Sequence, residues 1–389
     1  MPLPQTGVAF ARPAVVVLVT LAAFIDLVTY SVAVPVLPDL SRRLGASPTM
    51  VGLLFSSFGV TLLIVSMPMG AVADRVSRRL LLVAGLVALA ASNVLFAVAE
   101  RMAWLFAARL VQGAADAVTW VVGFALIADL YGSAERGRVM GFVMAGASLG
   151  LMIGPTLGGW LYEAGGIELP FYAVAVAALV VAGLLLVVPF PAVQAPSERV
   201  PILAIVREPA VATCAVVVIV AASTAAMLEP VLALWFASDL GLGPARIGLV
   251  FGVAAVASTI LHPLYGGFAD RWGARRMTLV GLALMASLLP VLARAWSFES
   301  AVALFVLQAA AIALVVTPSL AYMADVVSSV GAGSFGVAYG LYNFAWGVGL
   351  LVGPALGGFL FERLGFTALT LAWAPVALGI AVAVIRWGR

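Results

Sequence analysis

Long apolar runs alternate with short polar breaks along the whole chain, and the runs set the architecture. Most reach about 20 residues or more, the length a helix needs to cross ~30 Å of hydrocarbon. Twelve fit, at roughly 14–37, 49–71, 80–99, 103–130, 139–162, 170–190, 210–236, 245–268, 277–295, 299–324, 335–360 and 367–385. Charged residues gather in the breaks, so the few inside runs need a reason. LAAFIDLVTYSVAVPVLP, residues 21–38, carries a carboxylate, Asp26, near its middle. An acid at bilayer depth costs between ~2.5 and more than 10 kcal/mol and usually faces a protein interior or a water-filled cavity. Asp26 is therefore the first candidate functional residue; the alternative is a buried acid held by a structural partner at the same depth.

Composition supports an all-helical membrane protein. The chain has 389 residues, 64% of them hydrophobic and 10% charged, with a mean hydropathy of +1.19. A soluble globule is normally about half apolar. The net charge of +3 then says nothing about nucleic acid, which is not expected as a partner. The one cysteine, Cys214, excludes a disulfide within the chain and a cysteine-rich metal site. No nucleophile–base pair, nucleotide loop or metal cluster is evident, so neither enzymatic activity nor a cofactor or metal is expected. Met1 to Pro13 lacks the basic start and apolar core of a cleavable leader, and the first span is expected to act as the targeting signal.

An even number of spans puts both ends on one side. With the termini in the cytoplasm, thirteen arginines lie inside, six lie outside (42, 43, 101, 246, 294, 363), and Arg109 lies within a span. This excess predicts cytoplasmic termini. Residues 191–208, PAVQAPSERVPILAIVRE, are the most polar long connection and read as a linker between a bundle at 1–190 and another at 209–389.

The two halves repeat each other. MPMGAVADRVSRR (67–79) matches HPLYGGFADRWGARR (262–276), with Asp74 and Asp270 offset by 196. VGLLF (51–55) matches IGLVF (247–251) at the same offset, and GLMIGPTLGGWLYE (150–163) matches GLLVGPALGGFLFE (349–362) at 199. Three blocks in one order at nearly one spacing indicate a duplication. Parallel duplication of six spans is the layout of major facilitator transporters, whose substrate site lies at midplane.

The motifs resemble that family in detail. Gly70, Asp74, Arg75, Arg78 and Arg79, with Gly267, Asp270, Arg271, Gly273, Arg275 and Arg276, are similar to its loop motif between spans two and three, with Ser77 where a glycine is usual. Arg109-x-x-Gln112-Gly113 resembles its fourth-span motif, and Gly146, Gly150, Gly154, Pro155, Gly158 and Gly159 its fifth-span antiporter motif. Within the family the likeness is to drug–proton antiporters and, more narrowly, vesicular monoamine and acetylcholine transporters. It rests on Asp26 with VAVPVLP (32–38), Met227-Leu228-Glu229-Pro230 with Trp235, and ERGRVMG (135–141). The chain departs from these where they have a lysine in span two (here Phe58) and acids in spans ten and eleven (here Ala313 and Asn343).

The resemblance implies two pseudo-symmetric six-helix bundles with spans 1, 4, 7 and 10 lining the cavity. Asp26 and Tyr30 are one turn apart on one face, as Arg109 and Asp116 are over two turns. Glu229 lies about 7 to 8 Å from the middle of its span, whereas Asp26 is close to the middle of its own. The expected substrate contacts are Asp26, Tyr30, Glu229, Trp235, Tyr342 and Asn343; the expected proton-coupling residues are Asp26, Arg109, Asp116 and Glu229. Arg109 either alternates between Asp116 and Asp26 or forms a fixed ion pair. Asp74, Arg75, Arg78, Asp270, Arg271 and Arg275 are expected to latch the cytoplasmic ends. Trp120, Tyr339 and Phe344 are further aromatic candidates, each as readily lipid-facing, and His262 beside Pro263 reads as structural.

A carboxylate in low dielectric can hold either a proton or a cation, and the two ligands exclude one another. Aromatic faces hold the rest of an amine for ~0.5–2 kcal/mol each. The expected function is a proton-coupled antiporter exporting monoamine-like or mixed drug cations by alternating access, as a monomer in a bacterial inner membrane. The competing transport reading is sugar or lipid efflux by the same fold, which would not need cavity acids. A receptor or scaffold would need loop mass that this chain lacks.

Overall fold

A computed structural model describes residues 5–73, 75–188, 208–329 and 335–387. Among the described residues all regular structure is helical. The helices are α1 (Gln5–Ser31), α2 (Leu37–Leu44), α3 (Pro48–Ala73), α4 (Arg78–Ala97), α5 (Met102–Leu130), α6 (Ser133–Gly165), α7 (Leu169–Val187), α8 (Pro209–Ser238), α9 (Pro244–Trp272), α10 (Ala274–Leu292), α11 (Phe298–Ser329) and α12 (Phe335–Trp387). The linker sequence before Glu208 and Asp74 lie outside the described residues.

Eleven helical stretches among these are long and apolar enough to span a membrane, and the last, Gly340–Arg386, has 47 residues, enough for two crossings. Gly365 divides it: φ of 77° and ψ of 172° break the helix at a conformation that glycine reaches without a Cβ clash. The chain therefore has twelve transmembrane helices. The first crossing ends earlier than hydropathy alone predicts. Helix α1 stops at Ser31, a 3-10 turn covers Val34–Val36, and α2 follows. Pro35 and Pro38 supply no backbone donor, which is why one regular helix does not continue to the end of the apolar run.

The chain divides into two compact units, residues 1–44 with 60–197, and residues 45–59 with 198–389. In the first, α1 packs on α6, and α4 packs on α5 and α7. In the second, α8 packs on α12, and α10 packs on α11 and α12. Under the duplication these are the same pairs, so the repeat is one of packing as well as sequence. Helices α1 and α8 are the most enclosed spans, each hydrophobic all round because each is covered all round.

Glycine makes the closest of these contacts possible. A methyl group at Gly150 of α6 would overlap the Phe24 carbonyl of α1, and one at Gly154 would overlap the Ser31 hydroxyl. In the second unit a methyl at Gly353 of α12 would overlap the Ser223 carbonyl of α8. Small residues let helix backbones touch in lipid, where dispersion replaces the hydrophobic drive. In the first unit the touching segment of α1 is the one that carries Asp26, so the glycine face of α6 fixes the acid's position from behind.

Candidate functional site

Helix α1 brings Asp26 and Tyr30 to α5, which brings Arg109, Gln112, Asp116 and Trp120. Consecutive spans alternate direction, so α1 and α5 run antiparallel. Asp26 meets Asp116, and Tyr30, one turn later, meets Arg109, two turns before Asp116.

Asp26 is 2% exposed and Asp116 6%. Their carboxyl groups lie close to each other. The Trp120 indole donates from Nε1 to Asp116 Oδ1 at 3.0 Å and also reaches Asp26. Trp120 is one turn beyond Asp116 on the same face and is braced edge-on by Phe124, with ring centroids 5.4 Å apart. Two carboxylates this close in a low dielectric repel each other, and a proton or a cation between them relieves the repulsion.

Arg109 is fully buried. Its guanidinium lies over the Tyr30 ring at 5.5 Å and the Phe96 ring at 5.3 Å from the centroids. Nη1 donates to the Tyr30 carbonyl at 3.2 Å and to Gln112 Oε1 at 3.1 Å. Phe96 stacks in turn on Phe171 at 5.1 Å. The sequence offered two readings for Arg109, both pairing it with an acid; the structure adds a set of aromatic and amide contacts that neither anticipated. Beside this cluster Asn93 of α4 donates to Thr29 Oγ1 at 3.2 Å and to the Leu89 carbonyl at 2.9 Å, tying α1 to α4.

The remaining candidates belong to the second unit or to helix ends. Glu229 is half-buried in α8. Trp235, six residues on, points about 240° around the helix from it, is 6% exposed, and stacks on Phe366 at 4.3 Å. The two do not share a face. Tyr342 of α12 is buried and donates from its hydroxyl to the Val316 carbonyl at 3.1 Å, whereas Asn343 beside it is exposed. His262 Nδ1 is 2.6 Å from Thr317 Oγ1.

The loop-motif arginines divide by role. Arg78 forms an ion pair with Asp129 in the last turn of α5. Arg79 Nε donates to the Leu185 carbonyl at 2.6 Å, and Arg275 Nη2, 196 residues later, to the Val384 carbonyl at 2.8 Å. Both acceptor carbonyls lie in the last turn of their unit's final helix, where carbonyls lack helical donors and cations are favoured. Arg75, Asp270 and Arg271 are exposed. Asp129 and Trp120's donor role are the functional features that sequence reading missed. For Asp129 a signal existed: Ala128-Asp129 recurs as Ala324-Asp325 at the offset of 196 that relates the other repeats.

The sequence profile described as Major Facilitator Superfamily matches residues 19–228 and again 214–389. The chain belongs to the Major Facilitator Superfamily. It is 28% identical over 335 residues to the chromaffin granule amine transporter of Homo sapiens, a match covering 85% of this chain and 63% of that protein. It is 32% identical over 347 residues to the vesicular acetylcholine transporter of Homo sapiens, covering 84% and 65%. The chain thus spans a little under two thirds of the length of these relatives. Among solved structures, a bacterial homologue of the human lysosomal transporter Spinster superposes with a TM-score of 0.77 at 16% identity, over 97% of this chain and 94% of that one. The nucleoside transporter NupG superposes with a TM-score of 0.78 at 14% identity, over 96% and 98%. These two likenesses concern the fold. The protein is a multi-pass membrane protein of this superfamily.

Proposed function

We propose that the protein is a proton-coupled antiporter that exports organic cations, monoamine-like amines or mixed cationic drugs, by alternating access. The observation that carries this reading is the buried carboxyl pair of Asp26 and Asp116. A buried pair of carboxyl groups is a site where a proton and an ammonium ion compete. Protonated, it carries less charge; deprotonated, it offers two carboxylates to a cation in low dielectric, where attraction is strong. The relatives named as amine and acetylcholine transporters support the same substrate class.

Asp26 and Asp116 exchange proton for cation, Tyr30 flanks them, and Arg109 holds the Tyr30 backbone in place. Glu229 supplies the second unit's acid for the substrate, with Trp235, Tyr342 and Asn343 as further contacts. Asp74, Arg75, Arg78, Asp270, Arg271 and Arg275 regulate the cytoplasmic ends, and the bundles are taken as residues 1–190 and 209–389 joined by 191–208. The same reading has the protein as a monomer in a bacterial inner membrane with cytoplasmic termini, supported by the arginine distribution.

The test is uptake by proteoliposomes under an imposed pH gradient, with a panel of labelled amines, cationic drugs, sugars and lipids. Inside-acidic vesicles should accumulate cations and not neutral compounds, and cation binding at equilibrium should weaken as pH falls because protons occupy the same acids. Gradient-independent movement of a sugar or lipid, with no cation transported, would replace this reading with neutral-solute efflux.

A further inference from the structure

His262 is the chain's single histidine, and it sits half-buried in α9 at a place where sequence alone reads it as structural. Its ring is held at one nitrogen only. Nδ1 is 2.6 Å from Thr317 Oγ1 of α11, and Nε2 has no partner among the described residues. Threonines inside these helices turn the hydroxyl back on their own backbone: Thr20, Thr119, Thr224, Thr259 and Thr278 each donate to the carbonyl four residues earlier. Thr317 makes no such bond among the described residues. Its hydroxyl proton needs an acceptor in apolar surroundings, and Nδ1 is the acceptor within reach. The neutral ring therefore accepts at Nδ1 and carries its hydrogen at Nε2. Each partner precedes a proline, Pro263 or Pro318, so each helix lacks one backbone bond at that turn. The side-chain bond joins the two helices there.

We propose that His262 is a proton-binding site in the second unit, with Thr317 as the residue that positions its ring. This adds a site to the carboxyl pair and rests on the antiport reading only for its part in transport. As the Thr317 hydroxyl passes its proton to Nδ1, its oxygen takes one from water, so the sum is one proton from water on the ring. Nδ1–H then donates to Thr317 Oγ1. The bond persists in both states with its direction reversed, and unloading runs the same transfer back to water. Histidine suits this exchange because its unperturbed charge change falls between about pH 5 and 8.

No charged side chain stands within two turns of either partner along α9 or α11. Tyr265 is one turn from His262 and Tyr322 is five residues beyond Thr317, whereas Asp270, Arg271 and Asp325 come later and Arg246 and Glu299 stand in first turns. The other helices packed against α9 are α10 and α8. Arg275 and Arg276 stand in the first turn of α10; α8 offers Cys214, buried against the Ser319 carbonyl, and Glu229 toward its far end. Thr317 is thus the neighbour that decides the state of the ring.

Two measurements on the full-length protein in lipid test this. With one histidine in the chain, magnetic resonance of isotope-labelled histidine sees a single ring and needs no substrate. At about pH 8 the ring should be the Nε2–H tautomer alone, and it should become charged as the pH falls toward about 5. A ring that stays neutral over this range, or whose neutral form carries its hydrogen at Nδ1, would overturn the proposal. In Thr317→Val, which keeps the shape and removes the hydroxyl, both tautomers should appear; a single unchanged tautomer would overturn the positioning role. The second measurement compares gradient-driven uptake of a labelled amine from the panel above with its counterflow, which moves no net proton. His262→Gln keeps a group that can bond Thr317 and takes up no proton in this range, so driven uptake should be lost while counterflow stays within a few-fold of wild type. Equal losses in both, as a structural histidine would give, or no loss in either, would overturn a part in transport. If His262→Gln does not assemble, the ring titration decides alone. If the wild type moves no organic cation, the antiport reading fails while the ring titration still stands or falls by itself.

Discussion

Asp26 of α1 and Asp116 of α5 lie close to each other inside the first unit, on helices separated by most of a bundle in sequence. Neutralising either should therefore damage exchange. Asp26→Asn should abolish accumulation of a cationic substrate in inside-acidic vesicles, because the proton site is gone. Asp116→Asn leaves a carboxyl at Asp26 but removes the acid that faces it, so exchange should persist at a rate reduced about tenfold or more with a displaced pH profile. Initial rates across a pH series separate the two outcomes. Wild-type rates in both variants would exclude the pair from coupling.

Glu229 is the acid of the second unit's most enclosed helix. Glu229→Gln preserves shape and hydrogen bonding while removing charge. It should weaken equilibrium binding of cations by about tenfold, worth ~1.4 kcal/mol, and leave any neutral ligand within a few-fold. Calorimetry on matched charged and uncharged ligands reads the difference directly, and equal losses for both would point to a structural role.

The glycine face of α6 gives a prediction about stability. Gly150→Ala puts a methyl into the Phe24 carbonyl, backbone against backbone, so α1 and α6 must separate. Overpacking of this kind costs ~1–3 kcal/mol, and the loss should appear in detergent unfolding together with a weakened response of transport to the pH gradient. Gly183→Ala in α7 meets nothing within 4 Å and should be neutral or slightly stabilising, since alanine is the better helix former.

Much of this was legible in the sequence, and what was not has a physical reason. Twelve spans follow from apolar run length, and the duplication from three blocks at one spacing. Asp26 was found because a carboxylate in hydrocarbon is costly. Its closeness to Asp116 was not found, since periodicity places residues on one face of a helix and says nothing about which neighbour that face meets. Trp120 reads as a lipid-facing ring until its N–H is seen on an acid. Arg79 and Arg275 read as loop cations because the carbonyls they bind end α7 and α12, more than a hundred residues away.

Arg109 should tolerate substitution poorly even though its described contacts are with rings, a carbonyl and an amide. The guanidinium lies within cation–π reach of both the Tyr30 and Phe96 rings, and its fixed fork of donors is one that an ammonium lacks. Arg109→Lys keeps the charge but loses the guanidinium's ring contacts and the bond geometry to the Tyr30 carbonyl, at ~1–3 kcal/mol. Lower unfolding temperature with cation affinity within a few-fold of wild type is the expected pattern. A stability unchanged from wild type would mean that the ring contacts contribute nothing.

The ion pair of Arg78 with Asp129 is the contact best suited to a double-mutant cycle. Both side chains are largely enclosed, at 14% and 6% exposure, so neither charge is fully compensated by water when its partner is removed. Arg78→Ala and Asp129→Asn should each destabilise the first unit, and the double variant should be less destabilised than the sum by ~1–3 kcal/mol. Residue 274, which stands 196 positions after Arg78, is alanine, so the second unit cannot make the same pair with Asp325. Asp325→Asn should therefore change stability by less than half as much as Asp129→Asn, measured by the same unfolding assay. Equal losses at the two acids would mean that Asp129 acts through something other than its bond to Arg78.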